Sequence, residues 1–186
     1  IVAGNSAGAG TSLWIALHND FADSENSDPV LRQSTRVKGV VARETQSSYD
    51  IEGRWAKDVF PDYNLTWSQI LANETGNIQK LYGVSSLAQY ESPAIDAYRN
   101  EVDMLSLLSS DDPELWINNT LRDVVNPYNP FIADIPSHHA FHARALKQRA
   151  GAVGVKNISY YGKNPLLYSD PGNETWTEFC KRKINE

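Results

Sequence analysis

Four short runs rich in apolar and β-branched residues, at 1–3, 37–43 (VKGVVAR), 114–118 (ELWIN) and 155–161 (VKNISYY), alternate with segments of helical periodicity. Runs of this kind bounded by polar residues read as buried strands. Strands that alternate with helices lie parallel, because the chain crosses back over the sheet between them. The order strand, helix, strand, helical insertion, strand, helix, strand, helix predicts an α/β fold with a mostly parallel sheet and flanking helices. Ala7, Gly10, Leu13, Trp14 and Leu17 fall at helical spacing, which predicts a helix from 7 to about 18. A polar stretch, 20–35, reads as a surface loop with one helical turn.

The segment from 46 to about 110 lacks strand signals and reads as a helical insertion. Short helices are expected at 67–72 and 85–90, and one amphipathic helix carries Ile95, Tyr98, Val102, Leu105 and Leu108 on one face. Asp111-Asp112-Pro113 is a turn. Beyond a proline-rich loop at 126–136, Ser137 is placed to cap a helix with Phe141, Ala145, Leu146 and Ala150 inward, ended by Gly151 and Gly154. A turn at Asp170-Pro171-Gly172 leads to a terminal helix packing Trp176, Phe179 and Cys180.

At 186 residues and 41% hydrophobic content the chain can bury a core, and a single domain over 1–186 is the expectation. No run approaches the roughly 18 apolar residues of a membrane span. A net charge of −6 with few basic clusters argues against nucleic acid or an anionic membrane surface as partner. A lone cysteine, Cys180, excludes an internal disulfide. Sequons at Asn64, Asn73, Asn118, Asn157 and Asn173 carry little weight. Compartment and oligomeric state are not determined by composition.

Between the first run and the first helix stands Gly4-Asn5-Ser6-Ala7-Gly8. At a sharp strand-to-helix turn a serine is held in strained backbone, and Gly4 and Gly8 supply room where larger residues would meet the neighbouring strand or helix. The hydroxyl then stands above the sheet, and the Ala7 N–H at the helix start favours a developing oxyanion. A strand, G-x-S-x-G and a helix together match the nucleophile elbow of α/β-hydrolases.

Three further stretches extend the match: "DPVLRQSTRVKGVVARETQSSYD" (28–50), "LSLLSSDDPELWINN" (105–119) and "HHAFHARALKQRAGAVGV" (138–155). With GNSAGAG they resemble the bacterial acetyl-esterase and carboxylesterase-like proteins of the esterase/lipase type, over nearly the whole chain. The resemblance implies an α/β-hydrolase fold of which this chain carries the last four strands, those at 1–3, 37–43, 114–118 and 155–161. The earlier strands and a His-Gly-Gly loop with further oxyanion donors would precede it. The elbow strand would then sit at a sheet edge with unpaired backbone groups, so the 186 residues alone are expected to associate and to be inactive.

A serine nucleophile needs a base, and the base an acid. The family order assigns the acid to Asp134, with Asp123 second; Asp111 and Asp112 precede a strand and read as turn and cap residues at the opposite end of the sheet. None of the histidines (His18, His138, His139, His142) lies beyond Val155, where the family places its base. The base is therefore His138 or His139, or the ordinary triad is lost. His138 or His139 with His142 has the spacing of a metal pair, but no third ligand joins them, so neither metal nor cofactor is expected. His18 reads as a residue favouring the C-terminal helix dipole. Trp55, Trp67, Tyr82, Tyr90 and Tyr98 line a pocket or pack as core.

The resulting expectation is a serine hydrolase of carboxylic esters taking a small-molecule ester. Its alternative is a non-catalytic α/β-hydrolase-like domain that binds a ligand or partner.

Overall fold

The computed structural model describes residues 1–120, 136–163 and 166–186, apart from the Asn73 side chain. Among the described residues five strands form one sheet in sequential order: β1 (Val2–Asn5), β2 (Gly39–Arg43), β3 (Glu114–Asn119), β4 (Asn157–Tyr161) and β5 (Tyr168–Ser169). The first four are parallel, with Val2 beside Val40, Val40 beside Leu115 and Leu115 beside Asn157. The sequence anticipates these four; β5, a two-residue antiparallel strand against Tyr160 and Tyr161, is an addition. Too short for periodicity, β5 is held by Leu167 N–H donating to the Tyr161 carbonyl.

Side-chain alternation divides the sheet between two layers. Val40, Ala42, Leu115 and Ile117 face α1 (Ala7–Leu17) and the main core, while Val41 and Trp116 face the other way. Within the insertion lie a π-helix (Ile51–Val59), α2 (Trp67–Tyr82), α3 (Leu87–Tyr90), α4 (Pro93–Glu101) and α5 (Met104–Leu107). Next in the chain come α6 (Ala140–Val153), which covers β3 and β4, and α7 (Trp176–Asn185) on the opposite layer, where Phe179 meets Val41 and Trp116. Both faces of the parallel sheet are thus covered. No described helix is long and apolar enough to cross a membrane.

Several expectations need correction. The 20–35 loop contains turns but no helix. The helix expected at 67–72 runs sixteen residues, from a capping box between Thr66 and Gln69 to Gly83 at φ 64°. Its buried stripe reads Ile70, Glu74, Ile78, and the carboxylate in the middle hides the apolar period. The single amphipathic helix from Ile95 to Leu108 is two helices, α4 and α5. Tyr49 N–H donates to the Val102 carbonyl, and the Asp103 carboxylate accepts from Arg54 Nε at 2.7 Å, so the chain bends there.

The cap of α6 is His139 rather than Ser137: its ring accepts a hydrogen bond from Phe141 N–H. The inward set Phe141, Ala145, Leu146 and Ala150 is buried as expected, and Gly154, at φ 82°, ends the helix, whereas Gly151 lies inside it. Trp176 is 43% exposed; Lys183 takes the inner place beside Phe179, its ammonium paired with Glu114. Asp111 and Asp112 do form a turn before β3, paired with Arg36.

Candidate active site

Ser6 occupies the junction between β1 and α1 at φ 55° and ψ −125°, a conformation that L-residues with a side chain rarely hold. Its N–H continues the ladder by donating to the Arg43 carbonyl at 2.9 Å, so the strain is carried by hydrogen bonds and packing on both sides. A Cβ on Gly4 would stand 2.1 Å from the Gly8 carbonyl oxygen, so this position admits glycine only. Gly8 is a correction: a Cβ there meets nothing within 4 Å, and the turn does not need it to be glycine. Ala7 is exposed in the first turn of α1, where N–H groups have no acceptor within the helix. Asn5, the last residue of β1, pairs with Arg43 and is exposed.

The Ser6 hydroxyl lies 2.7 Å from His138 Nε2, across 132 residues of sequence. His138 ends a 3₁₀ turn, Pro136–His138, between β3 and α6. His139 is turned away. It is buried with its ring edge-on to Phe60 at 5.3 Å and to Phe141 at 4.6 Å, and caps α6. Of the two candidate bases, then, the fold brings one to the serine. The candidate acid Asp134, like Asp123, lies outside the described residues.

Side chains clamp the turn that presents His138. Gln46 Nε2 donates to the Ser137 carbonyl at 2.7 Å, Asn119 Nδ2 to the His139 carbonyl at 3.3 Å, and His142 Nε2 to the Pro136 carbonyl at 2.9 Å. A carbonyl only accepts, so the His142 proton is on Nε2, and Nδ1 accepts from Ser47 N–H at 3.1 Å and from the Ser47 hydroxyl at 3.0 Å. With both ring nitrogens engaged, His142 has none left for a metal, and no described His, Cys, Asp and Glu residues cluster as a metal site. His18, at the end of α1, sits in an aromatic stack with Trp14 and Phe21.

Burial holds His142 neutral, its pKa lowered from 6.5 to about 3, with the neighbouring His139 and His138 adding to the effect. Between those values the unfolded chain binds a proton that the folded chain refuses, so stability is full above pH 6.5 and declines on acidification toward 3. Urea melts at neutral and acid pH are expected to show wild type losing roughly 3 kcal/mol more than His142→Gln between pH 7 and 4. Equal acid losses in the two proteins would contradict this assignment.

A cleft of about 370 Å³ opens over Ser6 and His138 and is walled by Tyr49, Trp55, Glu74 and Leu81 among others. Across Ala7, Tyr49 and Leu81 it adjoins a second, largely apolar cleft of about 380 Å³ that reaches Trp14 and Tyr98. The insertion therefore contributes walls to the site. Of its aromatics, Trp55 and Tyr98 line these clefts, whereas Tyr82 and Tyr90 are core. Gln46, Ser47, Asn119 and Glu74 escaped the sequence reading, which weighed His142 only as half of a metal pair and not as a clamp on the His138 turn; the one local signal was a charge at Glu74 inside an otherwise apolar helical stripe.

No protein-family model matches the chain, and no curated protein does. Among solved structures it is similar to an acetyl ester-xyloside bifunctional hydrolase from Caldicellulosiruptor lactoaceticus, at 17% identity and a TM-score of 0.57, over 98% of this chain and 54% of that one. A truncated form of carbohydrate esterase from gut microbiota matches at 12% identity and a TM-score of 0.47, over 98% of this chain and 56% of that one. The chain thus spans about half the length of these two proteins, and at 17% identity the likeness to the first is one of fold.

Proposed function

We propose that this chain carries the nucleophile and base of a serine hydrolase acting on small carboxylic esters. The observation that supports it most is the 2.7 Å approach of the Ser6 hydroxyl to His138 Nε2, at a serine held at φ 55° on a strand-to-helix turn. Nucleophile and base within hydrogen-bond reach, with the base oriented from behind, is the arrangement that activates a weak hydroxyl.

In this reading His138 carries its proton on Nδ1 and accepts the Ser6 proton on Nε2 as the hydroxyl oxygen attacks the ester carbonyl. The Ala7 N–H donates to the oxyanion that forms. Collapse expels the alcohol, which takes the proton from His138, and leaves an acyl group on Ser6. Water, deprotonated by the same imidazole, then releases the acid and restores the hydroxyl. Asp134 precedes His138 by four positions, a span of at most about 14 Å of chain, and is assigned to orient it. The two adjoining clefts offer separate places for the acyl and alcohol parts.

A fluorophosphonate, which needs an activated serine to react, tests the proposal on the complete gene product. The expected result is a single adduct mapped to the peptide containing Ser6. An unmodified Ser6, or an adduct elsewhere, would remove this serine from the chemistry and favour a non-catalytic, ligand-binding domain.

A further inference from the structure

The most unusual group in the cleft is a carboxylate. Glu74 sits on the inward stripe of α2 between Ile70 and Ile78 and is 2% exposed, yet it lines the same cleft as Ser6 and His138. One of its oxygens accepts from Asn77 Nδ2 at 2.8 Å. The other has no partner among the described residues and is not sealed in the core, so it opens into the cleft. The same cleft is lined by Ile51 and Leu81, which have nothing to bond, and by Trp55, whose indole N–H is already given to the Ser48 carbonyl at 3.0 Å.

Burying a carboxyl is costly unless its lone pairs are used, and an apolar residue at this helix position would continue the core. Burial also raises the proton affinity of this carboxyl, which Asn77 only partly counters. An acceptor left open in an apolar cleft discriminates strongly, since a ligand without a donor leaves it dry and unpaired. The donor could be a hydroxyl or an ammonium group. Lys80, six positions further on the same helix, lines the cleft too and repels a cation.

Resting on the hydrolase reading above, we infer that Glu74 is a specificity determinant for hydroxylated esters: substrates of the polyol or sugar type, with a free hydroxyl close to the ester. Asn77 holds the carboxylate in place, so the free oxygen meets the hydroxyl while the carbonyl lies between Ser6 and Ala7. Since Glu74 belongs to the insertion, substrate choice is built into the insertion rather than into the sheet.

Propyl acetate and glycerol 1-acetate differ only in two hydroxyl groups and form the test pair. With the complete gene product, kcat/KM for glycerol 1-acetate is expected to exceed that for propyl acetate by about tenfold to a hundredfold, a range set by one buried hydrogen bond. In Glu74→Leu this ratio is expected to fall toward one. Glu74→Gln, which keeps size and packing, is expected to lower the ratio severalfold and serves if the leucine variant does not fold. A wild-type ratio near one, or a ratio unchanged in Glu74→Gln, overturns the inference while leaving the hydrolase reading intact. Absence of turnover with both esters, together with an unlabelled Ser6, overturns both.

Discussion

Replacing His138 with glutamine in the complete gene product is expected to lower kcat/KM for p-nitrophenyl acetate by about a thousandfold or more. The size of the effect follows from what the ring does. A serine hydroxyl is nearly inert at neutral pH, and its reactivity depends on a base that removes the proton as the new bond forms. Glutamine retains a polar atom near the Ser6 oxygen but cannot accept a proton at any useful pH, so the hydrogen bond partly survives and the chemistry does not. Labelling by a fluorophosphonate should slow in proportion, because it depends on the same proton transfer. His139→Asn provides the contrast. Asparagine is a good helix cap, so α6 keeps its first-turn acceptor, and activity should stay within about tenfold of wild type. A His138→Gln enzyme retaining a tenth or more of wild-type activity, or a reversed order of the two variants, would sink the assignment of the base.

Gly4→Ala is expected to destabilise the protein by about 3 kcal/mol or more, read as a lowered urea midpoint. The added methyl would stand 2.1 Å from the Gly8 carbonyl oxygen, 2.2 Å from its carbon and 2.5 Å from Ala9 nitrogen, all backbone atoms. Backbone cannot swing aside as a flexible side-chain tip can, so either β1 shifts against β2 or the first turn of α1 unwinds. Both movements pull Ser6 away from His138, and activity falls together with stability. Gly8→Ala is the matched control, since its Cβ meets nothing within 4 Å and the position is helical. There the substitution should be neutral or add about 0.5–1 kcal/mol, because alanine loses less conformational freedom than glycine on entering a helix. Similar losses in the two variants would show that the turn tolerates no side chain anywhere, and that close packing at Gly4 is not the cause.

The contrast between these glycines marks the limit of reading a motif. Both stand at motif positions in G-N-S-A-G, and sequence alone treats them alike. Only the direction of each missing Cβ separates them: one points into the crossing of strand and helix, the other into open space. The same limit applies to α2. Its apolar period stops at Glu74 in the sequence, so only its first turns are legible, although a capping box and a glycine C-cap mark both ends once the inward face is known. The helix that breaks at Val102 shows the converse. Its apolar spacing is continuous, but Tyr49 and Arg54, from elsewhere in the insertion, draw a carbonyl and a carboxylate out of line.

By itself the sequence determined what short-range physics controls. Short apolar, β-branched runs mark the four parallel strands, helical spacing marks α1 and α6, and the serine between glycines marks a tight turn at the end of the first strand. Only the tertiary structure decided which imidazole meets Ser6 and which is packed among aromatic rings, since His138 and His139 are neighbours whose local signals are the same. It also decided that a carboxylate from the insertion shares their cleft. The reason is separation along the chain: Ser6 and His138 are 132 positions apart, and their meeting depends on strand register and on Gln46, Asn119 and His142 gripping one turn. No local propensity carries that information, because it exists only once the sheet has brought those segments side by side.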